Sequence, residues 1–70
     1  MVYTQAQEQI WKQYEKVRQS GEFNMITECD KAANKAGLDW KHYRFVLGNY
    51  SNLRDQIIKN YGSVEAFMKA

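Results

Sequence analysis

Seventy residues with a net charge of +2 and a single cysteine describe one small folded unit, residues 1–70, too short to hold both a stable core and a deep catalytic cleft. An enzyme is therefore not expected. Cys29 by itself forms no intrachain disulfide and with the lone His42 falls short of a metal site, so no metal or other cofactor is expected and a reducing, cytoplasmic setting fits best. The opening residues MVYTQAQEQ lack the basic and apolar segments of an export signal, and no apolar run is long enough for a bilayer, so the expectation is a soluble protein without a membrane partner.

Proline is absent and apolar residues recur at helical spacing, which predicts an all-α chain, a compact bundle of four to five short helices. Thr4 followed by Gln7 is a capping box and starts the first helix. Its buried stripe is expected to be Ala6, Ile10, Tyr14 and Val17, widened by Trp11, with Glu8, Lys12, Glu15, Lys16 and Gln19 off it. Gly21 supplies a left-handed residue to end it.

Asn24 is the expected N-cap of the second helix, with Ile26, Cys29, Ala33 and Ala36 lining its inner face. Gly37 stops that helix, Leu38 turns inward against Ala33, and Asp39 caps the third helix at once. Trp40, Tyr43, Val46, Leu47 and Tyr50 then follow at helical spacing. Gly48 and Asn49 are expected to weaken the last turn, Ser51 to cap a fourth helix carrying Leu53, Ile57, Ile58 and Tyr61, and Gly62 to end it. Ser63 opens a final turn in which Val64, Phe67 and Met68 fold back as a lid.

Residues 25–49 thus read as two short helices across a sharp bend. Ala33, Gly37, Leu38, Tyr43 and Val46 reproduce a spacing of alanine, three residues, glycine, an aliphatic, then inward apolar positions six and nine past the glycine. This resembles helix-turn-helix DNA-binding domains, including the lac repressor family, over about a third of the chain. The departure is Tyr43, where that family usually has a β-branched aliphatic. A second likeness runs through Glu8 to Ile10, Val17-Arg18, Ser20-Gly21 and Asn24-Met25, which resemble a short domain of unknown function found in bacteriophages and mobile elements. It implies no activity, but such small phage proteins are often DNA-binding regulators or inhibitors of a host protein.

Charge is unevenly spread. Residues 1–30 carry five acids and three bases, residues 31–54 five bases and one acid, and residues 55–70 balance. The excess positive charge falls on the bend, where phosphate neutralisation would count. The helix-turn-helix resemblance implies that the helix after Asp39 lies in the major groove and meets base edges with its first half, from Trp40, Lys41, His42, Arg44 and Phe45. Arg44 would pair with guanine, Lys41 with guanine or phosphate, and Trp40 or Phe45 with a thymine methyl. Lys31, Lys35 and Arg54 are the phosphate-contact candidates. Double-stranded DNA is then the partner, bound by a homodimer whose contact draws on Trp11, Tyr50, Tyr61 and Phe67.

Competing readings exist for each feature. Lysines scattered on helices form solvated surface, exposed Trp40, Tyr43 or Phe45 can anchor in the groove of a host protein, and Cys29 on an apolar face is a small core residue. Asp39 and His42, three apart, make a cap and a surface imidazole rather than an acid–base pair, since nothing nucleophilic accompanies them.

Overall fold

The computed structural model describes residues 2–70. Four helices account for most of them: α1 (Gln5–Ser20), α2 (Cys29–Ala36), α3 (Trp40–Tyr61) and α4 (Val64–Lys69), with no strand among the described residues. α1 is the centre of the bundle, packed on both α2 and α3, while α4 folds back on α3. Their shared core holds Trp11, Tyr14, Val17, Ala32, Ala33, Tyr43, Val46, Leu53, Ile57 and Phe67.

Local chemistry sets the helix ends. At α1 the Gln7 amide donates to Thr4 Oγ1 (3.1 Å) and the Thr4 amide to Gln7 Oε1 (2.8 Å), which satisfies two amides that the first turn leaves unpaired. Gly21 ends α1 at φ +69°. Asn24 does not cap α2, contrary to expectation; its Oδ1 accepts from the amides of Ile26 (2.9 Å) and Thr27 (3.0 Å). What it caps is a single isolated turn, because Glu28 leaves helical geometry at φ −116° and ψ 35°, and α2 begins only at Cys29. Ile26 consequently lies outside α2 and is 71% exposed, contrary to the inward position expected for it.

The bend between α2 and α3 follows the expected chemistry. Gly37 at φ +74° donates to the Asn34 carbonyl (3.2 Å), and the Leu38 amide reaches the Ala33 carbonyl (3.0 Å), the paired bonds of a Schellman cap. Leu38 is buried, and Asp39 Oδ1 accepts from the His42 amide (2.8 Å) to start α3. A Cβ on Gly37 would meet no atom within 4 Å, so the cost of replacing it is purely backbone strain. Gly37→Val should lower stability by about 1–2 kcal/mol. Thermal denaturation beside Gly37→Asn, a residue that tolerates this conformation better, checks it.

The interruption expected in α3 is present, and one expectation about α1 is corrected. Asn49 leaves helical geometry (φ −126°, ψ 15°), so α3 is two helical segments joined across a kink at the place where Gly48–Asn49 was expected to weaken it, with Ser51 inside the second segment and not at its cap. The Asn49 side-chain Nδ2 donates to the Phe45 carbonyl (2.8 Å), satisfying an acceptor at the kink, and its Oδ1 accepts from the Tyr3 hydroxyl (2.9 Å). Tyr3 is held in turn by the Gln56 side chain, which accepts from its amide (2.7 Å) and donates to its carbonyl (2.9 Å). The buried face of α1 is also rotated from the one expected. Ala6 is exposed, whereas Glu8, Lys12 and Glu15 are buried against α3 and α4.

Those buried charges are tolerated because each is met by hydrogen-bond partners. Glu8 accepts from Gln56 (3.0 Å), Asn60 (3.1 Å) and the Tyr61 hydroxyl (3.1 Å). Glu15 accepts two bonds from Arg18 (2.6 Å each), one from Gln19 (3.0 Å) and one from the Tyr50 hydroxyl (2.7 Å). Lys12 donates to the Ala70 carbonyl (2.8 Å) and lies over the Phe67 ring (5.2 Å to its centroid). Phe67 closes the bundle from α4, against Trp11 and Tyr61, as the expected lid. The aromatic reserve assigned to a dimer contact is therefore largely consumed: Trp11 and Phe67 are fully enclosed, Tyr50 is half-buried, and Tyr61 alone of the four is exposed.

Candidate nucleic-acid interface

The corner at Gly37 presents the first half of α3 outward. Tyr43, Val46 and Tyr50 turn one side of the helix to the core, which leaves Trp40, Lys41, His42 and Arg44 exposed. Lys41 and Arg44 are three apart and Trp40 and Arg44 four apart, so these side chains are neighbours on the helix surface. Among the described residues neither Lys41 nor Arg44 has an ion-pair or hydrogen-bond partner in its own domain. On α2, small Ala32 and Ala33 face the core, and Lys31 and Lys35 stand on the open side. Among the described residues Lys35 has no ion-pair partner, while Lys31 reaches Glu28 at 3.8 Å with both side chains solvated, a contact of little strength.

Three candidates are constrained further. His42 places Nδ1 3.2 Å from Asp39 Oδ1, the same oxygen that caps α3, so its ring is tied to the corner. The Asp39 carboxylate is thereby engaged with its own helix N-terminus, where negative charge is favoured. Phe45 does not stand with the outward group: it is half-buried, with its ring edge on Tyr3 at 6.0 Å. Arg54 is exposed but lies ten residues beyond Arg44, about 15 Å along the axis and past the kink. The structure thus brings together Trp40, Lys41, His42 and Arg44, with Lys35 just across the turn, and sets Phe45 and Arg54 apart.

One participant had no role in the expected interface. Tyr43, fully buried, carries the Trp40 indole on its ring, with centroids 6.0 Å apart and planes inclined by 15°. Its hydroxyl donates to the Met25 carbonyl at 2.7 Å, and its other neighbour is Tyr14 at 5.3 Å. Burial first, and then the nearby Tyr14 and Cys29, push the Tyr43 phenol up to about 12, so it remains a neutral donor across the physiological range. The spacing Trp40–Tyr43 was the available signal, since residues three apart on a helix can stack. Being enclosed, Tyr43 is not an anchor for a partner protein as one reading had it.

No group of three or more potential metal-ligating side chains occurs among the described residues, and no helix there is long and apolar enough to cross a membrane. Comparison with models of protein families, with curated proteins and with solved structures finds no match to this chain.

Proposed function

We propose that this protein binds duplex DNA through a helix-turn-helix formed by α2, the Gly37 turn and the first half of α3, as a small regulator of the phage or prophage kind acting in the cytoplasm. The observation that carries the reading is the set of exposed cations without ion-pair partners among the described residues, Lys35 on the last turn of α2 and Lys41 and Arg44 on the first turns of α3, beside a carboxylate already engaged in capping α3. Arg44 reads a base edge, while Lys31 and Lys35 hold the backbone without specifying sequence. A module of this size covers little DNA, so two copies on two half-sites are expected. Tyr61 is what remains of the proposed dimer reserve on the surface.

A second reading, a helical module that docks on or inhibits a host protein, draws on one specific observation: Ile26 and Trp40 are large apolar side chains at 71% and 52% exposure. A salt titration separates the two. Binding to a duplex selected from random sequences should weaken steeply from low to physiological salt, and Lys35→Ala should reduce the log–log slope by about one without altering sequence preference. Arg44→Ala should cost about 1–3 kcal/mol and relax discrimination at one base position. If no duplex is bound even at low salt, the nucleic-acid reading is abandoned for the protein-docking one.

A further inference from the structure

Trp40 is the first residue of α3, and its indole lies flat on Tyr43 while half of its surface stays open to solvent. On the reading that this corner binds DNA, we infer that Trp40 is a stacking platform for a nucleobase standing outside the helical stack. The preferred ligand is then a duplex containing an unpaired base.

Three features carry this. The platform is pre-ordered, because the ring beneath it is fully buried, bonded through its hydroxyl to the Met25 carbonyl and packed on Tyr14. An indole stacked on a ring held this way has less freedom to lose when a ligand arrives than one standing free. Its chemistry suits any base, since stacking needs a π-face and no particular hydrogen-bond pattern. Cations stand beside it: Arg44 is one helical turn on and Lys41 adjoins it, both exposed and without internal partners among the described residues, and both on the side of α3 away from Tyr43, where the phosphates of an extruded nucleotide would be met. A thymine methyl in intact duplex covers only a small part of an indole face, whereas an unstacked base covers it whole. An unpaired base is also the least costly to present, since its pairing is already lost.

The experiment compares three labelled duplexes of one sequence: fully paired, with a single bulged adenine, and with an abasic residue at the bulge. The wild-type protein should bind the adenine bulge about five- to a hundredfold more tightly than either of the others. Binding should also quench tryptophan emission, in which enclosed Trp11 is a constant background. Trp40→Ala should keep its helical circular dichroism and lose both the preference for the adenine bulge over the paired duplex and the quenching; Trp40→Phe should retain part of the preference. Equal binding of the adenine and abasic bulges, or a preference that survives in Trp40→Ala, overturns the platform while leaving duplex recognition standing. Failure to bind any of the three at low salt removes the DNA reading and the platform with it.

Discussion

Tyr43→Ala should lower the thermal midpoint by about 20 °C, the largest single effect expected in this chain. The ring is fully enclosed, between Tyr14 on α1 and Trp40 on α3, and its hydroxyl ties α3 to the turn before α2 through the Met25 carbonyl. Truncating a buried aromatic costs about 3–5 kcal/mol through lost transfer energy and the cavity left behind, and in a domain of this size each kcal/mol moves the midpoint by about 4–8 °C. Tyr43→Phe keeps the ring and gives up only the bond to Met25, for about 1–2 kcal/mol. Thermal unfolding of the pair measures both; equal losses would mean that the hydroxyl, not the ring, holds the corner.

The same residue makes a pH prediction. Tyr43 and Tyr50 are both pushed from 10.0 up to about 12, first by burial, with Tyr50 raised also by its bond to Glu15. A phenol raised in the folded state contributes stability that is fully present below its unfolded value and is lost as pH rises through the folded one. The tyrosine contribution to stability should therefore be constant below pH 10 and fall between pH 10 and 12, with phenolate absorbance appearing together with loss of helix. Tyr43→Phe should soften that fall.

Arg18→Ala is the second large effect, and it is out of proportion to the exposure of the side chain removed. Arg18 is half in solvent, but its two 2.6 Å bonds go to Glu15, whose side chain is 2% exposed. Burial alone would raise the Glu15 carboxyl; the hydrogen bonds of Arg18, Tyr50 and Gln19 and the Arg18 charge together hold it below its ordinary value. Without Arg18 a buried carboxylate keeps only neutral donors, at a cost of about 2–4 kcal/mol, toward the lower end for a buried pair because water already reaches one partner. Glu15→Gln in the Arg18→Ala background should recover much of that loss, since an amide carries no charge to strand.

The pH dependence gives the sign. In the wild-type protein the depressed Glu15 contributes stability that is present above its unfolded value near 4.5 and is lost as pH falls through the lower folded value. In Arg18→Ala the carboxyl loses its ionic support, so acidification should narrow the stability gap between variant and wild type. Denaturant titrations at neutral pH and at pH 4 test it, and a gap unchanged with pH would mean that Arg18 acts through its packing over the Tyr50 ring alone.

Much of the fold was legible in single residues, because capping is a local interaction among residues three or four apart. Thr4 with Gln7, Gly21, Gly37 with Leu38, Asp39, Gly62 and Ser63 mark ends that the structure keeps. The outward position of Lys41 and Arg44 was legible for the same reason, since helical period alone sets them opposite Tyr43 and Val46. The rotation of α1 was not. Whether Glu8 or Ala6 faces inward depends on Gln56, Asn60 and Tyr61, and Glu15 on Tyr50, donors that only tertiary packing brings near. The interruption at Asn49 was legible, because Gly48–Asn49 weakens a helix locally; the bonds from its side chain to Phe45 and from distant Tyr3, which hold the two segments in line across the kink, were not. At the corner the identity of the exposed residues was determined by sequence alone, while the tertiary structure decided which of them stand free: Phe45 was drawn aside by Tyr3, and Trp40 was laid on a Tyr43 that the core holds still. Helix ends, interruptions and period depend on neighbours in the chain, whereas rotation and the support beneath a side chain depend on neighbours in space.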